Sequence, residues 1–267
     1  MKKLLAAFLL STAALPVAAQ TAPAFTSTCD EGKYYHSGQE RYCETRDLMM
    51  AVPKSGPLTV DGRRNGSITV KSWAGQDVRV RAKISIWGAD AAAAKAQAAT
   101  VQISTSNNRL QAGPAAEEEQ QWAVSYEIFV PEKTALDLKT HNGSISLKDL
   151  RGPVTFEAQN GSVTIAGAGG DVRGHTQNGA LNITLAGKKW EGKGLDVATQ
   201  NGRIAWKVPA NYSAQLYSST QHGPVDTDFD TAVKGKIGRE IAVNLGQGGA
   251  PVRAVTTNGG ISIKRAQ

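Results

Sequence analysis

The 267-residue sequence predicts an all-β fold, a β-solenoid-like stack of strand–turn–strand repeats with one short inserted helix. Two observations carry this prediction. A phrase centred on Asn-Gly recurs along the chain, and apolar residues alternate with polar ones on both sides of it. The phrase occurs in four clear copies, at residues 140–147, 158–165, 176–183 and 199–206, and in three fainter ones, near Asn65, His222 and Asn258.

The spacing of the copies indicates a repeat architecture with insertions. The step from Asn142 to Asn160 is 18 residues, and the step from Asn160 to Asn178 is the same. The next steps are 23, 21 and 36 residues. A fixed phrase with variable spacing is typical of stacked repeats whose extra residues lie at one corner.

Asn-Gly predicts a tight corner in each repeat, because both residues tolerate positive φ. The flanking residues alternate between apolar and polar with period 2, so each strand has one core face and one wet face. The predicted structural turns are Asn142, Gly143, Asn160, Gly161, Asn178, Gly179, Asn201, Gly202, Asn258 and Gly259.

Two arrangements of the strands fit this pattern. In a two-residue hairpin the strands on either side of Asn-Gly pair with each other, which gives an antiparallel meander or sandwich. In a β-solenoid the phrases instead stack on one another, about 4.8 Å apart. The copies resemble each other column by column, which favours the solenoid.

A column of hydrogen-bonding side chains directly precedes the Asn column. It consists of His141 followed by the candidate contact residues Gln159, Gln177, Gln200 and Gln221. Two interpretations stay open. The glutamines form a hydrogen-bonded ladder that stabilises the stack, or they present a flat row of donors and acceptors to an extended partner.

The first residues have the features of a secretory signal peptide. Residues 1–19 contain a charged start at Lys2 and Lys3, a short apolar core and a small-residue cleavage site before Gln20. The apolar run is too short for a membrane span, and no later segment approaches one. The sequence therefore predicts an exported bacterial protein, in the periplasm or at the cell surface.

Two cysteines, Cys29 and Cys43, are the only ones in the chain, and export predicts that they form one disulfide. The predicted domains are a disulfide-stapled segment at residues 20–51 and a β-strand-repeat domain at residues 52–267. Within the second, an alanine-rich helix is expected at about residues 90–99, beginning at Asp90.

Composition and motifs indicate which partners and activities to expect of the protein. The formal net charge is +7, and removing Lys2 and Lys3 leaves +5, which suits loose attraction to anionic envelope polymers. No nucleotide-binding, nucleic-acid-binding, metalloprotease or hydrolase motif occurs. We expect no catalytic residues, no cofactor and no metal. The one acidic row, Asp226, Asp228 and Asp230, offers calcium a single segment where several are needed.

The order of elements also resembles a known family. An alanine-rich helix, the strand YEIFVPE and the run LDLKTHNGSISLKDLRGPVTFEAQNGSVTIAG resemble the bacterial β-strand-repeat family of candidate adhesins. That family is a domain of unknown function that includes LiaG-like envelope proteins. The resemblance covers roughly residues 52–229 and implies a β-solenoid-like fold in an extracytoplasmic setting. It implies no catalytic residues.

The sequence thus predicts an exported, non-catalytic envelope protein, adhesin-like or structural. It would act through contacts of the outer faces of the repeats with an unidentified envelope protein or polysaccharide, and not with nucleic acid. The alternative is a β-helix enzyme acting on polysaccharides. Its outer columns would then include Asp137, Lys139, Arg173, His175 and Asp196.

Overall fold

The computed structural model describes residues 22–29, 35–36, 38–113, 122–229 and 238–266. The proposed leader, residues 1–19, and Asp230 of the acidic row lie outside the described residues. Within those residues the chain forms twenty-one strands and one helix. The all-β prediction with a single short helix is therefore confirmed for this part of the chain.

The described strands form two large mixed sheets. Sheet A contains, in spatial order, β1 (Tyr35–His36), β2 (Gln39–Ala51), β5 (Asp77–Gly88), β8 (Trp122–Pro131), β4 (Ile68–Trp73), β10 (Ile145–Lys148), β12 (Val163–Ala166), β14 (Leu181–Thr184), β16 (Ile204–Val208), β21 (Ile261–Arg265) and β18 (Val225–Thr227). Sheet B contains β19 (Glu240–Leu245), β17 (Ala214–His222), β20 (Pro251–Asn258), β15 (Gly194–Asn201), β13 (Asp171–Thr176), β11 (Val154–Ala158), β9 (Leu136–Thr140), β3 (Leu58–Asp61), β7 (Arg109–Gly113) and β6 (Gln102–Ser104).

Alternating side chains place one face of each sheet in the core. In β11, Val154, Phe156 and Ala158 are buried, whereas Thr155 and Glu157 are exposed. The buried faces of both sheets contribute to one hydrophobic cluster. The two sheets therefore pack face to face, as in a sandwich.

Each Asn-Gly phrase carries the chain from sheet B to sheet A. β9 ends just before Asn142 in sheet B, and β10 begins just after it in sheet A. Each strand then pairs in parallel with the equivalent strand of another copy, so that Val154 aligns with Leu136 on one side and Val172 on the other. The arrangement is sandwich-like, but the repeat strands do not form the antiparallel hairpins of a meander. We call one sheet B strand, its corner and its sheet A strand a rung.

The rungs do not stack in chain order at the C-terminal end. β20 lies between β15 and β17, and β21 lies between β16 and β18. The rung that contains Asn258 therefore follows the one with Asn201, and the rung that contains His222 lies outside both. An end rung needs to match only one neighbouring rung, which explains why its phrase departs most from the others, with Pro224 after Gly223.

The flanks of the stack are antiparallel. β2 and β5 extend sheet A beyond β8, and β19 closes sheet B beyond β17. The helix α1 (Ala91–Thr100) packs Ala94 and Ala98 against β2 and β5. The side chain of Asp90 accepts a hydrogen bond from the backbone N–H of Ala93, which confirms the predicted N-cap.

The disulfide between Cys29 and Cys43 is present, with a Cα–Cα distance of 5.7 Å. It attaches the N-terminal segment to β2, which pairs with β5 from Glu40 to Ala51. The predicted boundary at residue 51 therefore coincides with the end of a strand that belongs to the same sheet as the repeats.

A buried carboxylate holds this N-terminal segment on the outer face of sheet A. Glu127 accepts hydrogen bonds from the backbone N–H groups of Thr26 (2.8 Å) and Ser27 (2.7 Å), and it forms an ion pair with Lys71 (2.7 Å). Burial alone would raise the pKa of Glu127, but the Lys71 ammonium and these hydrogen bonds outweigh it and lower the pKa to about 2.

Candidate functional site

The Asn-Gly phrases form one edge of the stack, which we call the asparagine corner. There the amide side chains form a continuous ladder, in which each Asn Nδ2 donates to the Asn Oδ1 of the preceding rung. The pairs are Asn142 to Asn65 (3.0 Å), Asn160 to Asn142 (2.9 Å), Asn178 to Asn160 (2.8 Å), Asn201 to Asn178 (2.8 Å) and Asn258 to Asn201 (2.8 Å). Stacked identical amides of this kind hold parallel strands in register.

The glycine that follows each Asn is required by close packing rather than by backbone conformation. A Cβ added to Gly161 would lie within 3.0 Å of the carbonyl oxygen of Gly143, and one added to Gly179 would meet Gly161 in the same way. Gly143, Gly202 and Gly259 face equivalent carbonyls. The prediction of positive φ at this corner is wrong, because none of these glycines, nor their asparagines, adopts it.

A column of buried threonine hydroxyls closes the same corner from inside. Each Thr Oγ1 donates to a corner glycine carbonyl of an adjacent rung, at 2.7–2.8 Å: Thr140 to Gly66, Thr176 to Gly161, Thr199 to Gly179, Thr256 to Gly202 and Thr220 to Gly259. Ala158 occupies the equivalent position in its rung, between Thr140 and Thr176. The sequence therefore omits one hydroxyl from this column.

The glutamine column does not form the predicted ladder. Gln159, Gln177, Gln200 and Gln221 are exposed. None of their side chains hydrogen-bonds to another group within the described residues. The ladder is formed one position later, by the asparagines. The glutamine amides are thus available to solvent, and their use as a contact row stays a prediction.

Beside the asparagine corner, on the outer face of sheet B, the structure contains a groove of about 840 Å³. It crosses four successive strands, since Asp61, Lys139, Glu157 and His175 are register partners on β3, β9, β11 and β13. Parallel strands lie about 4.8 Å apart, so these four strands span roughly 14 Å. The lining residues are Asp61, Gly62, Arg63, Arg64, Asn65, Trp122, Ala123, Val124, Lys139, Thr140, His141, Glu157, Ala158, Gln159, His175 and Gln177.

The two carboxylates of the groove are already paired. Asp61 accepts hydrogen bonds from the backbone N–H of Arg63 (2.8 Å) and from the Arg109 guanidinium (3.1 Å). Glu157 forms an ion pair with Lys139 at 3.3 Å. The exposed Arg64 guanidinium has no acidic partner among the described residues. The lining contains three basic side chains, Arg63, Arg64 and Lys139, against these two carboxylates, so the groove carries a net positive charge.

The groove divides the glutamine column into two halves. Gln159 and Gln177 line it, whereas Gln200 and Gln221 lie on rungs beyond it. His141 and His175, which the sequence placed on the outer face, also line the groove. Local sequence patterns do not predict that Asp61, Arg64 and Trp122 belong to this groove, because strands distant in sequence bring them to this corner.

The other candidates from the sequence lie in structural ion pairs or outside a cluster. Asp226 and Asp228 both contact the Lys264 ammonium at 2.8 Å. In the outer columns, Asp196 pairs with Arg253 (2.6 Å), and Arg173 pairs with Asp171 (2.8 Å). Within the described residues no three metal-ligating side chains come together.

No protein-family model matches the chain, and no curated protein does. Several solved structures show a distant similarity to it. A candidate cell adhesion protein from Clostridium sporogenes aligns with 84% of this chain and 100% of its own, at 12% identity and a TM-score of 0.44. A candidate adhesin from Bacteroides fragilis (11%, 0.32) and a candidate lipid binding protein from Parabacteroides distasonis (10%, 0.32) each align over 84% of this chain and 97% of their own. Similarities this distant assign neither a family nor a ligand.

None of the described helices is long and apolar enough to cross a membrane.

Proposed function

We propose that the protein is an exported, non-catalytic envelope protein that binds an extended partner through the groove beside the asparagine corner. The observation that carries the proposal is the repetition of polar side chains across the groove on four neighbouring strands. A partner with its own regular repeat can contact equivalent groups on successive rungs. The groove thus suits an extended polymer or segment better than a compact small molecule.

We further propose that the repeats form a β-solenoid. Each rung contributes one strand to each sheet, and successive rungs pair in parallel and in register. The Asn, Gly and Thr columns repeat once per rung, as expected where each coil stacks on the last. A rigid stack of this kind holds the groove side chains at fixed intervals.

Export is supported by the leader-like residues 1–19 and by the disulfide, because disulfides persist mainly in oxidising compartments. Intact mass spectrometry of periplasmic material tests this part. We expect a chain that begins near Gln20 and gains two hydrogen atoms on reduction. A chain with two free thiols would contradict the disulfide, and a chain that retains residues 1–19 would contradict the predicted cleavage.

The state of the groove carboxylates supports a binding rather than a catalytic role. Most glycosidases use one protonated and one ionised carboxyl on opposite sides of the scissile bond. Asp61 and Glu157 are both engaged by cationic side chains of the protein. We expect no release of reducing ends from envelope polysaccharides; release that disappears in Glu157→Gln would favour the enzyme instead.

The divided glutamine column supplies a matched test of the binding role. Purified protein is incubated with envelope fractions, and retained material is measured for the wild type and two double variants. Gln159→Ala with Gln177→Ala should reduce retention, because these residues line the groove. Gln200→Ala with Gln221→Ala should retain as much as the wild type. Equal retention by both variants would place the contact surface elsewhere.

A further inference from the structure

We propose that the ligand of the groove is an anionic polysaccharide, with Trp122 as its stacking surface and Arg64 as its anion contact. This inference rests on the proposed function and names the chemistry of the partner. It follows from three features of the groove: its aromatic residue, its planar polar side chains and its net positive charge.

Trp122 lies at the end of the groove formed by β8, and its side chain is half-buried against the core. An indole presents a large flat apolar surface that is fixed by few rotatable bonds. The C–H face of a pyranose ring matches such a surface. The hydrogen bond of the Asn65 amide to the Trp122 carbonyl (3.5 Å) connects this residue to the asparagine ladder.

The remaining lining suits hydroxyl groups. Gln159 and Gln177 each offer amide donors and an acceptor, and His141 and His175 offer ring nitrogens on the same rungs or the rung beside them. Sugar hydroxyls both donate and accept, so they can satisfy such groups in either direction. The four strands of the groove span roughly 14 Å, a length comparable with two or three linked sugar rings.

An extended peptide is disfavoured by the position of the strands. Peptides bind sheets chiefly by pairing with a free edge or by filling apolar pockets. β9 and β11 are internal strands with neighbours on both sides, so their backbone groups are already paired. The exposed side chains of the groove are polar except at Trp122 and Ala123. Only side chains are available for recognition.

The charge of the groove selects an anionic polymer. Arg109 pairs with Asp61 and Lys139 pairs with Glu157, and within the described residues no carboxylate pairs with the exposed Arg64 guanidinium. A guanidinium binds carboxylate and phosphate groups through paired hydrogen bonds. Both a uronic-acid polymer and a phosphate-bearing cell-wall polymer carry suitable groups, and the experiment separates them.

The test measures binding of the full mature chain to polygalacturonate, to teichoic acid and to neutral dextran, by affinity electrophoresis and tryptophan fluorescence. We expect one of the two anionic polymers to bind and dextran to bind weakly or not at all. Arg64→Gln should weaken binding about tenfold, the size expected for one charge-assisted contact. Arg203→Gln is the matched control, because Arg203 is an exposed corner arginine outside the groove, and it should change affinity less than twofold.

Binding of neither anionic polymer, or equal losses in Arg64→Gln and Arg203→Gln, would overturn the inference. The outcome is distinguishable from failure of the proposed function. If envelope material is still retained in a manner that depends on Gln159 and Gln177, the groove binds a partner of other chemistry. If the retention of envelope material does not depend on Gln159 and Gln177 either, both proposals fail. Stronger binding of polygalacturonate than of teichoic acid would identify the carboxylate as the recognised group.

Discussion

Both corners of a rung carry the chain from one sheet to the other, but they differ in backbone conformation. At the asparagine corner the glycines avoid positive φ, and the turn is held by ladders between rungs. At the opposite corner, where the chain returns from sheet A to sheet B, positive φ is common, for example at Asp149 (57°), Gly167 (62°), Gly170 (81°) and Gly187 (76°). Apart from the Asn65 rung, which has one more residue there, the first corner has the same length in every rung, whereas the second varies. Uniformity follows from contacts between equivalent positions, because every copy must fit its neighbour.

The variable corner is held by contacts that differ from one pair of neighbouring rungs to the next. Arg151 donates to the carbonyl of Gly167, and the Trp190 Nε1 donates to the carbonyl of Gly170 at 3.0 Å. Insertions are tolerated there because no continuous column has to be preserved. The lengthened step from Asn178 to Asn201 is located at this corner, between β14 and β15. The groove lies on the uniform side, where successive rungs present equivalent positions.

The largest expected effect comes from adding one methyl group at each corner. Gly161→Ala should destabilise the protein by more than about 3 kcal/mol, because the new Cβ overlaps a backbone carbonyl that cannot move alone. The Cβ that Gly187→Ala adds has no atom within 4 Å. This substitution should lower the free energy of unfolding by only about 1 kcal/mol, because alanine disfavours the positive φ of this position. Chemical denaturation measures both. Similar losses would mean that the two corners do not differ as described.

The Asn ladder provides the second comparison, between adjacent residues. Asn160→Ala removes one donated and one accepted amide hydrogen bond and should cost about 1 kcal/mol. Gln159→Ala removes no such bond, and its effect should remain within about 0.5 kcal/mol. The midpoints of urea unfolding give both values. A larger loss for Gln159→Ala would restore the glutamine column as the structural ladder.

The smallest expected effect is a gain. Ala158→Thr should supply the hydroxyl that this rung lacks, opposite the carbonyl of Gly143, and stabilise the protein by about 0.5–1 kcal/mol. Ala158→Val has the same shape without the hydroxyl and serves as the control. Thermal unfolding of the pair isolates the hydrogen bond. If valine stabilises as much as threonine, filling of space explains the effect and the threonine column has no part in it.

Much of this fold could be predicted from the sequence, because the relevant signals are local. The alternation of apolar and polar residues predicted the strands, and Asp90 predicted the start of the helix. The expected export of the chain predicted the disulfide. The predicted conformation at Asn-Gly was wrong, because this dipeptide suits two different situations: a residue with positive φ, and a site where two backbones approach closely. Positive φ is a property of one residue, whereas close approach of two backbones depends on the neighbouring rung.

The order of the last rungs and the composition of the groove could not be predicted for a related reason. Parallel pairing joins segments far apart in the chain, and by sequence either the copy at His222 or the copy at Asn258 could follow the one at Asn201. Likewise, Trp122 reaches the groove only because β8 pairs with β4, more than 50 residues earlier. The glutamines were correctly placed on the exposed face, but their column runs through the groove for only half its length.

The most direct test of the stacked-rung account is a pair of engineered disulfides at the asparagine corner. Asn201 and Asn258 are register partners, and Asn258 and His222 are the next pair. Neighbouring parallel strands lie about 4.8 Å apart, within the Cα range that a disulfide needs. Asn201→Cys with Asn258→Cys should therefore oxidise readily, as detected by peptide mapping under non-reducing conditions. Asn201→Cys with His222→Cys should not, because two strand spacings of about 9.6 Å separate those residues. A bridge between positions 201 and 222, without one between 201 and 258, would contradict the account.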